Sequence, residues 1–410
     1  MINQCRFCDK ALVHTFVDLG ISPLSNAYIK EEQLNQMEPF YPLRVYVCEQ
    51  CYLVQLPVFE SSENIFSDYA YFSSYSESWL QHAMDYTDFM IDRFGFNSKS
   101  QVIEIASNDG YLLQYFIKKG IPVLGIEPAK NVAQAAQEAG IQTLEKFFGS
   151  QTAKELAQEG KCADLLIGNN VLAHVPAIKD FVKGMKIILS SRGVITVEFP
   201  HLMRLIAENQ FDTIYHEHFS YFSFTIVNKL FDQNGLTIFD VDELSTHGGS
   251  LRVYARHADD TSKSIDEKVK ALLESEASEG FGNLEFYLTF NQKVQSTKRA
   301  ILDFMVKIKN EGKTLAGYGA PAKGNTLLNY CGIRTDFIEY TVDRSPHKQG
   351  RFLPGTHIPI YHPNKIKETR PDCVVILPWN LKDEIMRKMA YIRDWNGKFV
   401  TLIPEVRIYS

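Results

Sequence analysis

The chain has 410 residues, more than one core usually organises, so two or three domains are expected. Its 43 Lys and Arg against 49 Asp and Glu give a net charge of −6, which argues against a nucleic-acid partner. The sequence shows no basic-plus-apolar leader and no apolar run long enough to span a bilayer, so the expectation is a cytoplasmic protein with no membrane partner and with its seven cysteines reduced unless they hold metal.

Four of those cysteines form two pairs, Cys5-Arg-Phe-Cys8 and Cys48-Glu-Gln-Cys51. A two-residue gap lets both sulfurs of a pair face one ion, and two such knuckles supply the four thiolates that suit tetrahedral Zn²⁺. With four protein ligands the site is closed to substrate, which makes it structural. A redox CxxC and unrelated buried thiols are the alternatives. Next comes Asp68-Tyr69-Ala-Tyr71-Phe-Ser-Ser-Tyr75-Ser, rich in aromatic and hydroxyl groups, ahead of a predicted helix over Trp79–Phe94. Its composition favours packing against the next domain over a lid on a ligand.

Val102–Leu113, V-I-E-I-A-S-N-D-G-Y-L-L, reads as strand, tight turn, and helix from Tyr111. The turn residues are small or tolerate a left-handed backbone, so the chain can pass close to a ligand. A second strand, Val123–Ile126, ends on Glu127, the place where a doubly wound sheet grips a nucleoside ribose. Strands and helices then alternate: helix Asn131–Ala139, strand Ile141–Leu144, helix Ser150–Gln158, strand Ala163–Gly168, helix Ala177–Leu189, strand Val194–Glu198. Such alternation gives a mainly parallel sheet that binds ligands at the carboxyl ends of its strands. Those ends carry Asn108-Asp109-Gly110, Glu127, Asn169-Asn170, His174 and Glu198. The turn lacks G-x-G-x-x-G, so no cradle awaits a pyrophosphate; a nucleoside such as S-adenosylmethionine fits better than a dinucleotide.

Tyr215, His216, Glu217 and His218 stand together in Phe211–Phe224, flanked by aromatic rings. They can supply a general base near neutrality; a polar loop or a His-x-His metal pair are the other readings. Thr246-His247-Gly248-Gly249-Ser-Leu-Arg252 suits an anionic ligand or a plain hairpin turn. Asp259–Asn310 reads as long connecting helices. A second α/β unit follows, with predicted strands Thr314–Tyr318, Ile338–Val342 and Cys373–Leu377. Its turn, Gly317-Tyr318-Gly319-Ala-Pro-Ala-Lys323-Gly324, has the wrong spacing for a dinucleotide loop, though Lys323 at a helix start suits phosphate.

Taken together, C-x-x-C…C-x-x-C, Glu104–Leu113, Tyr215-His-Glu-His-Phe219, His247-Gly-Gly249 and Gly317–Gly324 resemble the S-adenosylmethionine-dependent C-methyltransferase family acting on nucleotide-linked deoxysugars. The resemblance covers essentially the whole chain. It implies an α/β fold: a class I methyltransferase Rossmann-like sheet (76–258) flanked by a Cys₄ zinc module (1–75), with a helical connector (259–310) and a smaller Rossmann-like C-terminal domain (311–410). It implies methylation, usually at C-3, of a nucleoside-diphosphate-linked 4-keto-6-deoxy sugar through an enolate. His218 is then the base, Tyr215 and Glu217 position substrate or base, and His174 donates to the enolate oxygen. Tyr69, Tyr71, Glu104, Asn108, Asp109, Gly110, Glu127, Phe147, Asn169 and Asn170 would hold the cofactor. His247, Gly248, Arg252, Tyr318 and Lys323 would hold the substrate, Lys323 at the diphosphate or nucleoside. At the usual adenine position Glu145-Lys146-Phe147 departs from the pattern by placing Lys146 there. The sequence leaves the oligomeric state open, with a monomer favoured. The rival readings are an NAD-dependent sugar-nucleotide oxidoreductase, an O-methyltransferase, an RNA methyltransferase and a zinc-ribbon adaptor.

Overall fold

The computed structural model describes residues 3–66, 72–75 and 77–410. Tyr69 and Tyr71 lie outside the described residues. Among the described residues, no helix is long and apolar enough to cross a membrane.

The central sheet has seven strands in the order Leu236–Leu244, Ser250–His257, Leu189–Pro200, Ala163–Asn169, Val102–Ile105, Val123–Ile126, Thr143–Leu144. The five last-named strands are parallel to one another and the two at the other edge are antiparallel. Val102–Ile105 is buried along its whole length, as a strand covered on both faces must be. The chain runs outward from it to Thr143–Leu144, then returns to Ala163–Asn169 on its other side. That reversal opens the crevice in which such sheets take ligands.

Several predicted bounds shift. The helix expected from Tyr111 starts at Leu113, because left-handed Asn108 and Gly110 and a Gly110 N–H bond to the Ser107 carbonyl prolong the turn. The strand expected over Val194–Glu198 extends to Leu189–Pro200, since its outer edge is paired by Ser250–His257.

The N-terminal ribbon is not closed by its own residues. Its sheet runs His14–Ser22, Tyr41–Val47, Val54–Gln55 and then Ser220–Tyr221, a strand from far along the chain. Arg6, inside the first cysteine knuckle, donates to the Phe219 carbonyl and to Ser220 Oγ. The ribbon therefore grips the segment just after Tyr215–His218.

The connector folds back on the rest of the chain. Phe290, which opens the helix Phe290–Asn310, stacks on Phe16 of the ribbon at 4.6 Å between ring centroids. Glu276 of the helix Glu267–Glu279 accepts from the Phe224 and Thr225 backbone N–H groups, while Ser223 Oγ accepts from Ile226. These bonds satisfy the first donors of the helix Phe224–Gln233.

The C-terminal sheet has six strands in the order Ile360–Tyr361, Thr341–Val342, Leu315–Tyr318, Cys373–Ile376, Lys398–Thr401, Arg407–Tyr409. Its own reversal lies between Leu315–Tyr318 and Cys373–Ile376. Trp379, just past the second of these strands, packs on Gly248 of the methyltransferase-type unit. A Cβ on Gly248 would sit 2.4 Å from Trp379 Cη2, and its φ of +92° is a glycine conformation. The two units thus meet at this glycine.

Candidate active site

The four ribbon cysteines come together. Their sulfurs lie within 4.8 Å of one another, with Cys5–Cys51 and Cys8–Cys48 at 3.5 Å. A tetrahedral Zn²⁺ with bonds of about 2.3 Å sets its sulfurs about 3.8 Å apart, so the group fits. Both knuckles share one geometry. Asp9 N–H donates to the Cys5 carbonyl and Tyr52 N–H to the Cys48 carbonyl, each at 2.9 Å, and both donors are left-handed. Gln55 Nε2 donates to Cys5 Sγ at 3.1 Å. The ion would hold two distant chain segments together and take no part in chemistry.

The nucleoside crevice is lined by polar atoms without partners among the described residues: Glu104 Oε2, Ser107 Oγ, Asp109 Oδ1 and both amide atoms of Asn169 and of Asn170. Buried polar groups are normally paired, so this cluster marks a place built for a polar ligand. Glu127 accepts from the Asn108 N–H at 2.9 Å and the Ala129 N–H at 2.8 Å. It thereby shapes the turn, and each oxygen keeps a lone pair. Burial pushes the Glu127 carboxyl up to about 7. Burial, then Glu127 and Asp109, push Glu104 well above the usual carboxyl range. Ser73 and Ser74 donate through their backbone N–H groups to Asn108 Oδ1 and Asp109 Oδ2. The stretch before the first long helix thus docks on the turn. Gly110 makes its close approach to Ile141, 2.0 Å from where a Cβ would sit, and not to the open crevice. Phe147 is 42 % exposed, and Lys146 is paired with Glu155 at 2.9 Å.

Beside the crevice lie the protonatable groups of the segment 215–218. Tyr215 Oη is 2.9 Å from His218 Nε2, and His218 Nδ1 is 2.9 Å from the Thr213 carbonyl. A carbonyl only accepts, so Nδ1 carries the proton and Nε2 accepts from the tyrosine. Burial holds His218 well below its ordinary pKa, and His174 and Lys323 push the same way. The His174 ring is 4.8 Å from that of His218. Its Nδ1 donates to the Glu217 carbonyl at 2.9 Å, and burial lowers it to about 4. Glu217 Oε1 accepts from Asn26 Nδ2 at 2.6 Å. His216 points elsewhere, to the Pro42 carbonyl between Tyr41 and Phe59.

The remaining expected substrate residues divide. His247 faces Trp79 at 5.1 Å between rings. Arg252 is engaged by buried Glu198, which also meets His82 at 3.0 Å. Burial opposes ionisation of Glu198, and Arg252 and His82 outweigh it. Tyr318 is buried in the apolar face of the C-terminal sheet. Lys323 reaches out of its own unit to the His247 carbonyl at 3.3 Å. Sequence reasoning missed Asn26, His82, Asp212 and Trp379. Asn26 sits in a turn and Trp379 opens the short 3-10 helix Trp379–Leu381, neither with a period to read, and only their long-range contacts mark them.

A Rossmann-like sheet with a polar crevice at its strand ends and a Cys₄ ribbon define a class I methyltransferase with a structural zinc module. Comparison with known proteins agrees. Residues 5–66 match the family described as putative zinc binding domain, 78–241 that described as methyltransferase domain, and 245–404 that described as C-methyltransferase C-terminal domain. The chain is 34 % identical over 409 residues to the C-methyltransferase NovU of Streptomyces niveus, across 100 % of this chain and 97 % of that one. The chain belongs to the S-adenosylmethionine-dependent C-methyltransferase family. Among solved structures, the PH0226 protein from Pyrococcus horikoshii OT3 aligns over 48 % of this chain and 99 % of its own, at 14 % identity and TM-score 0.39. Magnesium protoporphyrin IX methyltransferase from Synechocystis PCC 6803 with bound S-adenosylmethionine aligns over 43 % of this chain and 78 % of its own, at 16 % identity and TM-score 0.33.

Proposed function

We propose that the enzyme methylates carbon, at C-3, of a nucleoside-diphosphate-linked 4-keto-6-deoxy sugar. The observation that carries this reading is the Tyr215–His218 pair. His218, fixed by the Thr213 carbonyl and kept neutral by burial, accepts from Tyr215 and is poised to take a proton through it. A hydrogen beside a ketone is acidic enough for such a neutral base, whereas an unactivated carbon is not. Glu217, held by Asn26, orients the sugar. The crevice residues Glu104, Asn108, Asp109, Glu127, Asn169 and Asn170 hold the cofactor, with Glu127 at the ribose diol and Gly110 keeping the turn's shape. S-adenosylmethionine, when bound, supplies an electrophilic methyl group on sulfur. A sugar hydroxyl beside the same pair would lead to O-methylation, and NAD chemistry finds no turn with G-x-G-x-x-G spacing in either sheet.

The test is solvent exchange in deuterated water, with S-adenosylhomocysteine replacing the methyl donor and 4-keto-6-deoxyhexoses linked to thymidine, uridine, cytidine and guanosine diphosphates as probes. Deuterium entering the carbon beside the ketone is the expected result. Turnover with the methyl donor but no exchange in its absence would count for O-methylation.

A further inference from the structure

A carbon acid needs a base and also a donor for the oxygen that receives the charge. Neither the base histidine nor its neighbour His174 offers one. The His174 proton is on Nδ1, committed to the Glu217 carbonyl, and His218 has both nitrogens engaged. The donor must come from elsewhere.

Lys323 is the second residue of the helix Ala322–Cys331 in the C-terminal unit. That helix packs against the catalytic segment through Thr326 Oγ1, which donates to the Ile214 carbonyl at 3.0 Å. The Lys323 ammonium donates to the His247 carbonyl and to Asn380 Oδ1, both at 3.3 Å, and lies 4.9 Å from the centre of the Trp379 ring. Trp379 in turn donates to Asp212 Oδ2 at 2.7 Å, and Asp212 precedes Thr213, whose carbonyl fixes His218. Among the described residues, no carboxylate lies within ion-pair distance of Lys323, although the nearby Asp212 carboxylate favours its ammonium form; its hydrogen-bond partners are two neutral oxygens, and it lies over a ring. An ammonium has three donors, and two are used. The loop it springs from is closed by its own side chains. Asp343 Oδ2 accepts from the Ala320 N–H at 2.7 Å, and Lys348 donates to the Ala320 carbonyl at 2.9 Å. The Lys323 side chain therefore serves the facing cleft more directly than its own loop.

Resting on the carbon-acid reading above, we propose that Lys323 is a catalytic residue lent by the C-terminal unit, donating to the substrate oxygen that carries the enolate charge. The C–H pair becomes the carbon–carbon double bond, the proton goes to the Tyr215–His218 pair, and the carbonyl π pair moves onto the oxygen facing Lys323. When that pair returns, the new carbon–carbon bond forms as the sulfonium carbon–sulfur bond breaks, its electrons leaving with sulfur. The C-terminal unit then has a direct part in the reaction, and the enzyme is incomplete without it.

The experiment is the deuterium-exchange assay on full-length Lys323→Met and Lys323→Arg, with substrate concentration varied and folding checked by thermal melting. Lys323→Gln serves if the Met variant does not fold. The expected result is an exchange rate at saturating sugar nucleotide about 10²–10³-fold lower in the Met or Gln variant, with KM within a few-fold and part of the rate restored by Arg. A raised KM with an unchanged saturating rate would overturn the proposal and make Lys323 a diphosphate anchor. Wild-type enzyme that neither exchanges nor methylates any of the four probes would overturn the carbon-acid reading itself.

Discussion

The Tyr215 hydroxyl lies 2.9 Å from His218 Nε2, the nitrogen left without a proton by the His218 bond to the Thr213 carbonyl. In the proposed reaction the two side chains act as one proton-accepting unit, with tyrosine at its outer end. Tyr215→Phe and His218→Gln are each expected to lower exchange and methyl transfer by about 10²–10⁴-fold. The double variant should be little worse than either single one, because each removes the same pathway. Binding of S-adenosylhomocysteine, followed by calorimetry, should be unchanged.

Asn26 comes from the ribbon and holds Glu217 at 2.6 Å. Asn26→Ala withdraws a hydrogen bond to a charged group, worth about 1.5–3 kcal/mol. The expected outcome is a 10–100-fold loss in kcat/KM for the sugar nucleotide with cofactor affinity preserved, read from steady-state kinetics.

Glu127 carries a pH dependence in two senses. Its folded pKa, about 7, lies above the ordinary 4.5. Its contribution to fold stability is therefore full below about 4.5 and is lost as pH rises through about 7. With the ribose diol on Glu127, as proposed, cofactor affinity should run the other way, because ribose hydroxyls donate best to the ionised carboxylate. Titration calorimetry with S-adenosylhomocysteine should show binding strengthening from about pH 6 to about pH 8. Glu127→Gln should bind more weakly and with that dependence gone.

The zinc module holds the segment that follows Tyr215–His218 through Arg6 and the strand Ser220–Tyr221. Structural zinc sites contribute about 10–16 kcal/mol in isolated fingers, so losing one thiolate is severe. Cys48→Ser should leave the protein without its zinc by elemental analysis, speed proteolysis of the ribbon, and lower methyl transfer although no ligand touches substrate.

Gly248→Ala places a methyl group where Trp379 Cη2 already stands and asks alanine for a left-handed backbone. Strain of about 1–3 kcal/mol is expected at the contact between the two units. A lower melting temperature with a raised KM would show it.

Much of this architecture was legible because local signals agreed. Val102–Ile105 and Val123–Ile126 are apolar runs bounded by turn residues, and the paired cysteines announce their ion by spacing alone. The Tyr215–His218 cluster stood out by composition. What stayed hidden depends on distant partners. Ser220–Tyr221 is a two-residue strand with no period to read, yet it completes the ribbon's sheet. Lys323 read as a phosphate ligand because its local context is a glycine turn at a helix start. Only the fold shows that its ammonium crosses to His247. Arg252 read as an anion ligand, and the strand pairing that sets it opposite Glu198 appears only in the sheet.

The most direct measurement of the central claim is the position of the transferred methyl group. The enzyme would be incubated with S-adenosylmethionine and each of the four 4-keto-6-deoxyhexose nucleotides, and the product examined by nuclear magnetic resonance. A methyl group bonded to C-3, with the hydrogen of that carbon replaced, is the expected result. A methyl group on a sugar oxygen would contradict it, and so would a panel on which no sugar accepts a methyl group.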